Sequence, residues 1–112
     1  MARYDSHGGR IATTIFEAAA WHYAVKPVCG RCSHNALFHP HSLWWHFQKR
    51  GWDDNLRSAL ARFWCRKCAE RIGKRIRPRV LELERETEAM NLVLLEMPSE
   101  AEWKKAVNRF RN

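Results

Sequence analysis

Long apolar runs are missing from this chain. No stretch approaches the roughly 18 consecutive apolar residues that a membrane-spanning helix requires. The first residues, MARYDSHGGRIATT, lack the hydrophobic core of a secretory signal. We therefore expect a cytoplasmic protein with no membrane partner. In a reducing cytosol, paired cysteines are more often metal ligands or redox centres than structural disulfides.

Several enzyme signatures are missing as well. The sequence has no internal repeat, no phosphate-binding glycine loop and no pair of a nucleophile with its general base. These absences leave no class of function beyond the three that are considered below.

The composition that remains is that of one small folded domain. The chain has 112 residues, of which 46% are apolar and 29% are charged. A core of this size is marginal, so a crosslink would help to stabilise it. The unusual features are six tryptophans and a formal net charge of +8.

The four cysteines form two pairs, CGRC at 29 to 32 and CRKC at 65 to 68. A thioredoxin-type redox motif has one such pair inside a βαβ pattern, and this chain has two pairs and no such pattern. Two thiolates from each tight turn can instead provide the four ligands of a tetrahedral metal site. We predict one structural Zn²⁺, with an iron–sulfur centre or reactive thiols as alternatives; its ligands are Cys29, Cys32, Cys65 and Cys68.

The residues around these pairs are TTIFEAAAWHYAVKPVCGRCSHNALFHPHSLWWHFQKRGWDDNLRSALARFWCRKC. This stretch resembles small bacterial zinc-ribbon proteins of uncharacterised function, in which a helical insert separates two CxxC knuckles. The likeness covers about residues 13 to 80. It implies a zinc ribbon and no particular activity. Ser33 and Ala69 stand where such knuckles usually carry glycine, so a backbone with φ > 0 is less favourable at both positions.

Local patterns predict the elements around the first knuckle. Helical spacing before it links Ile11, Ile15, Ala18 and His22. YAVKPV is the strand that leads into the knuckle, and NALF is a short strand after it. HPHSLWWHFQKR then forms a helix with Pro40 in its first turn and its end at Gly51.

A second short helix, DNLRSALARF, is predicted before the second knuckle. Asp53 or Asp54 caps it, and its apolar face consists of Leu56, Leu60 and Phe63. Two helices joined by a turn have the outline of a helix-turn-helix DNA reader, in which Arg57 and Arg62 would face a groove. The simpler interpretation is that both helices cover the zinc hairpin and bury Trp44, Phe47, Trp52 and Leu60. Trp45 cannot share the face of its neighbour Trp44 and is the better candidate for an exposed contact.

Positive charge is concentrated at the second knuckle. Residues 66–79, RKCAERIGKRIRPR, hold seven Arg or Lys against one Glu, a local charge of +6. Residues 80–112 hold five basic against seven acidic side chains. Such a patch is typical of phosphate contacts, although a solvated face that keeps the protein soluble has the same composition. The predicted nucleic-acid-binding residues are Arg66, Lys67, Arg71, Lys74, Arg75, Arg77 and Arg79.

The histidines after the first knuckle raise a nuclease alternative. HPH at 39 to 41, followed by Asn55 and a CxxC pair, is similar to the HNH nucleases, which use a His base, an orienting Asn and a metal-binding His. Here Ala69 occupies the position of that metal ligand, and Asn55 lies too far before Cys65. We therefore predict no catalytic residue. His34 in place of one cysteine is a further zinc-ligand alternative.

Residues 81–112 are predicted to form a helical extension. A helical stripe links Leu83, Met90, Leu94 and Met97. Pro98 ends it, and Ser99 with Glu102 forms a capping box for a last helix, whose apolar side is Trp103, Ala106, Val107 and Phe110. We expect this extension to pack on or near the ribbon. NLVLLEM is apolar enough for a homodimer interface as the alternative.

These predictions combine into an α+β fold. It has an N-terminal arm at 1–10, a zinc-ribbon domain at 11–80 with two short helices between the knuckles, and a helical extension at 81–112. The predicted function is non-enzymatic binding of DNA or RNA through the basic face. A protein-binding adaptor or inhibitor, of the kind that mobile elements encode, is the alternative, and an HNH-type nuclease comes third.

Overall fold

The computed structural model describes residues 3–4, 10–85 and 92–111. In chain order the elements are β1 (Arg3–Tyr4), β2 (Arg10–Ile11), α1 (Ile15–Ala20), β3 (Tyr23–Cys29), α2 (Pro40–Arg50), α3 (Leu56–Ala59) with a 3-10 turn (Leu60–Arg62), α4 (Arg66–Ile72), β4 (Pro78–Arg85) and α5 (Glu100–Arg111). β1 pairs with β2 and β3 with β4, both antiparallel. The fold is therefore α+β, and it is compatible with a zinc ribbon. None of the described helices is long and apolar enough to cross a membrane.

Strands β3 and β4 form the longest ladder, with Tyr23 opposite Arg85 and Val28 opposite Val80. The predicted strand at YAVKPV is confirmed. The predicted helical stripe is wrong, because Leu83 lies in β4 and residues 94–97 lie outside any helix. Met90 lies outside the described residues.

The alternation in LELE explains why this segment is a strand. Leu81 and Leu83 contact the core, whereas the glutamates between and after them lie on the other face. There Lys26 of β3 lies 3.8 Å from Glu82 and 3.9 Å from Glu84. β4 also continues across residue 80, the predicted boundary between two parts of the chain, and that division stays a prediction.

The other edge of β3 contacts the segment after the first knuckle. Val25 and Phe38 exchange backbone hydrogen bonds of 3.2 and 2.8 Å, and Val28 bridges to Asn35. NALF therefore pairs through isolated bridges and does not form the predicted strand. Phe38 in turn bridges to Val93, so the chain beyond residue 91 returns to this edge.

Helix α1 begins at Ile15, four residues later than the sequence pattern indicated. Thr14 is its N-cap, and the Thr14 hydroxyl accepts a 3.0 Å hydrogen bond from the Glu17 amide. The Glu17 carboxylate reaches back to the Thr13 amide at 2.9 Å. This arrangement is close to a capping box.

Asp54 stabilises α1 and does not cap the second helix as predicted. Its carboxylate accepts from the Phe16 amide at 3.0 Å, and its carbonyl accepts from the Ile15 amide at 2.9 Å. The N-cap of α3 is Asn55, whose side chain accepts from the Arg57 amide at 3.0 Å. The α3 helix has only 4 residues before it tightens into the 3-10 turn.

Helix α2 has the predicted start and end. His39 is its N-cap, with Nδ1 accepting from the Ser42 amide at 3.4 Å, and Pro40 occupies the first helical position. Gly51 ends the helix with φ of 67°, a left-handed conformation that favours glycine. The helix buries Leu43 and Phe47 against α1 and β3.

The described residues contain two separate buried clusters. The larger one joins α1, β3, α2, β4 and α5 around Ile15, Val25, Leu43, Trp44 and Phe47. The smaller one consists of Cys29, Cys65 and Cys68 with half-buried Ile76. The cysteines thus lie outside the hydrophobic core.

Helix α5 packs on the larger cluster. Ser99 accepts a 3.2 Å hydrogen bond from the Glu102 amide, which confirms the predicted cap. The Trp103 ring lies 5.2 Å from the rings of both Phe16 and Trp44. The last helix therefore folds back on the same core.

Candidate metal centre

The first cysteine of each pair lies at one terminus of a regular element. β3 ends at Cys29, where the β ladder is irregular, and the chain then turns through Gly30. Cys65 is the N-cap of α4, so Cys68 lies in the first turn of that helix. Both pairs therefore present their thiols from turns, as zinc knuckles do.

The segment that enters β4 joins the two knuckles. The Cys65 amide donates to the Ile76 carbonyl at 2.9 Å, and the Gly30 amide donates to the Arg77 carbonyl at 3.4 Å. A Cβ atom at Gly30 would lie 3.3 Å from that Arg77 oxygen. Glycine thus permits the close approach of the first knuckle to this segment.

The four sulfur atoms lie within 4.8 Å of one another. Cys29 Sγ is 3.7 Å from Cys68 Sγ, and Cys32 Sγ is 3.6 Å from Cys65 Sγ. All four thiols are free, and these separations far exceed a disulfide bond. A tetrahedron with Zn–S bonds of about 2.3 Å has S···S edges of about 3.8 Å. The four clustered cysteines therefore suggest a zinc-binding site.

Backbone amides point at the sulfurs as well. The amides of Arg31 and Cys32 donate to Cys29 Sγ at 3.3 and 3.5 Å, and the Cys68 amide donates to Cys65 Sγ at 3.5 Å. Hydrogen bonds to sulfur stabilise the thiolate that a metal requires.

The thiol pKa values move in opposite directions. The backbone N–H groups of Cys32 and Arg31 lower the pKa of Cys29 to about 6. Burial, together with hydrogen bonds to the neighbouring thiols, raises the pKa of Cys68 to about 12. One thiolate among four close sulfurs disfavours the next, and a bound cation removes that penalty. The donor set fits a divalent metal better than four free thiols.

The backbone conformation shows how the chain accommodates Ser33 and Ala69 at the two positions where zinc-ribbon knuckles usually carry glycine. Ser33 has φ of 61°, so the first knuckle does take the left-handed conformation that the sequence comparison implied. Ala69 lies within α4, and the left-handed residue there is Gly73, with φ of 66°. His34 contributes its carbonyl to the turn, accepting from the Cys29 amide at 2.8 Å.

The basic residues begin at the second knuckle and follow it along the chain to β4. All seven are exposed: Arg66, Lys67 and Arg71 on α4, Lys74, Arg75 and Arg77 in the following loop, and Arg79 in β4. Within the described residues, none of the seven forms an ion pair with a carboxylate. Arg79 donates to the Ser33 hydroxyl at 3.2 Å, and the Arg75 guanidinium lies 5.1 Å from the Trp64 ring centroid.

The other predicted contacts lie elsewhere. Trp45 is half-buried and donates to Glu96 at 3.1 Å, so its ring is less exposed than its position beside Trp44 indicated. Arg62 lies 4.4 Å from the Trp52 ring centroid, and Arg57 is exposed on α3. Their roles in binding stay predictions.

The helices between the knuckles follow the simpler prediction. Trp44 and Phe47 are buried, and Trp52 and Leu60 pack against the same cluster. The nuclease-like residues have structural contacts: His39 caps α2, and Asn55 caps α3.

Sequence reasoning missed Trp64, which directly precedes Cys65. Its side chain is 43% exposed and lines a cavity of about 230 Å³ beside the cysteine cluster. Its position between an apolar segment and the basic run was the available signal.

Comparison of the chain with protein-family models, curated proteins and solved structures found no match.

Proposed function

We propose that this chain is a non-enzymatic zinc-ribbon protein that binds nucleic acid through the basic face around its second knuckle. One structural zinc, held by the four cysteines, links α4 to the first knuckle. With four protein ligands the shell is closed, so the metal has no open position for catalysis.

The observation that carries the proposal is the exposure of seven cations in a 14-residue stretch, Arg66 to Arg79, none of which pairs with a carboxylate of the described residues. Elsewhere Lys26, Lys49 and Lys104 each have a glutamate partner. A zinc ion with four thiolates carries a charge of about −2, so a net of about +4 remains at this face. Such a field attracts phosphates and depends strongly on salt.

The test is binding of fluorescently labelled duplex DNA, single-stranded DNA and RNA to the zinc-loaded chain over a series of salt concentrations. If all seven cations contact phosphates, log K should fall with log salt at a slope of about −6 on duplex DNA. Combined replacement of Arg71, Lys74 and Arg75 by glutamate should lower affinity more than 100-fold and reduce that slope by about 3.

The matched control reverses three other exposed cations, Lys104, Lys105 and Arg109 on α5, and so changes the net charge equally. It should bind within a few-fold of wild type, because α5 packs on the hydrophobic core and not on the cysteine cluster. Equal losses of affinity in both variants would show that binding depends on net charge and not on the basic face. Failure of wild type to bind any nucleic acid at low salt would refute the proposal.

A protein-binding adaptor or inhibitor is the second candidate, favoured by Leu94 and Met97, which are 64% and 47% exposed. A homodimer through this segment is one form of it. In that case serine at both positions should abolish partner capture or self-association in sedimentation, while reversal of Arg71, Lys74 and Arg75 should not.

A further inference from the structure

A cavity of about 230 Å³ adjoins the cysteine cluster, with walls from both knuckles. Its walls include Cys29 and Cys65 themselves, so the metal ligands also shape it. At roughly 30 Å³ per molecule, this volume equals seven or eight waters, the size class of a single small aromatic ring system. Most of its lining is apolar, with polar groups at a few points; the residues used below are His34, Asn35, Phe38, Phe63, Trp64 and Arg66.

The aromatic walls provide flat surfaces. Phe38 and Phe63 are half-buried, with ring centroids 5.4 Å apart. Trp64 is the most exposed of the three, and the Arg75 guanidinium lies 5.1 Å from its ring centroid. Because the Arg75 guanidinium lies over the indole ring, the two groups together offer flat surfaces on which a base can stack.

The polar groups at the cavity have unused hydrogen-bonding capacity. Within the described part of the chain, the side chains of His34 and Asn35 form no hydrogen bond. An amide and an imidazole together offer donors and acceptors to the edge of a base. Arg66, also at the cavity, offers a guanidinium to the adjoining phosphate.

We propose that this cavity receives one unstacked base of a single-stranded nucleic acid, whose phosphates follow the basic face. The inference rests on the proposed function and specifies its substrate class. A duplex keeps its bases stacked and paired, so it can use the basic face but not the cavity. The cations beside the cavity favour this anionic occupant over a neutral ligand, because each phosphate has an exposed counter-charge.

The test compares one labelled oligonucleotide, as a single strand and annealed to its complement, at one salt concentration. Wild type should bind the single strand about 10-fold or more tightly than the duplex. Trp64→Ala should weaken single-strand binding by about 5- to 150-fold, equivalent to 1–3 kcal/mol at 1.4 kcal/mol per tenfold. Its duplex affinity should stay within twofold of wild type.

Two variants control for the ring and for folding. Trp64→Phe keeps an aromatic face and should retain most single-strand affinity. Phe110→Ala removes an exposed ring on α5 that does not line the cavity and should change neither affinity. Zinc content and unfolding temperature, measured on each protein, identify a variant that has lost its fold. If Trp64→Ala is such a variant, Asn35→Ala, at an exposed position, serves as the second cavity variant and should weaken single-strand binding alone.

The outcomes separate the two proposals. Equal loss of single-strand and duplex binding in Trp64→Ala, or no loss of either, would overturn the base pocket while the basic face stands. Capture of an acidic peptide with an aromatic anchor that depends on Trp64, with nucleic-acid affinity unchanged, would assign the cavity to a protein partner. Absence of all nucleic-acid binding in wild type would instead refute the proposed function itself.

Discussion

Removal of the metal should destabilise one end of the molecule more than the other. The perturbation is either chelation or Cys29→Ser, which deletes a buried ligand. The hydrophobic core around Ile15 and Phe47 contains none of the cysteines. Loss of zinc should therefore open the knuckles first and leave the core helices formed.

The magnitude follows from the loop that the metal closes. Cys29 and Cys68 are 39 residues apart in sequence. The chain-entropy model for a crosslink of that length predicts a loss of about 4 kcal/mol. At 0.05–0.15 kcal/mol per residue, the whole chain has about 6 to 17 kcal/mol of stability. The metal crosslink thus contributes a large share of the total free energy of unfolding.

The assay combines metal analysis, thermal unfolding and amide hydrogen exchange. We expect one zinc per chain, a lower unfolding temperature after chelation, and loss of protection at the Cys65 amide with retention at the Leu43 amide. Cys29→Ser should already behave like the chelated protein, so chelation should not shift it further. Zinc content near zero in wild type, or unchanged Cys65 protection after chelation, would refute the reasoning.

Three further predictions concern the scaffold. Thr14→Ala removes the hydroxyl that accepts from the Glu17 amide and should lower the free energy of unfolding by about 1 kcal/mol in chemical denaturation. Burial raises the pKa of Asp54, with the Phe16 amide acting in the opposite direction. The folded state then holds the Asp54 proton more tightly than the unfolded state, so wild type loses stability as pH rises above about 4 and until the folded carboxyl has ionised. Asp54→Asn should gain stability relative to wild type over that rise in pH. Ser33→Gly should stabilise the first knuckle by about 0.5 kcal/mol, because relief of 1–2 kcal/mol of left-handed strain exceeds the added chain entropy.

Each of these has a contrary result. For Thr14, stability equal to wild type would show that the cap contributes nothing, and Thr14→Ser should keep the bond as its control. For Asp54, a stability difference from the asparagine variant that is constant with pH would show that the carboxyl has an ordinary pKa. For Ser33, a loss of stability on glycine substitution would mean that the Arg79 contact outweighs the backbone strain.

The sequence alone was sufficient for features that depend on neighbouring residues. Two CxxC pairs implied a four-sulfur site, and the sulfurs are within 4.8 Å. Pro40 and Gly51 marked the ends of α2 because both act through their own backbone φ. The Ser99 cap of α5 depends on an amide three residues away.

Features that depend on distant residues required the tertiary structure. The helical spacing that linked Leu83 to Leu94 was a coincidence, and pairing of β4 with β3, between residues 49 to 62 positions apart, decided in favour of a strand at Leu83. Asp54 was assigned to the nearest helix, yet it holds the amide of Phe16, 38 residues earlier. The cavity beside Trp64 has walls from β3, the chain after the first knuckle, the second knuckle and residues beyond β4. Local patterns cannot predict such a site, because burial and pairing energies are realised only when separate segments meet.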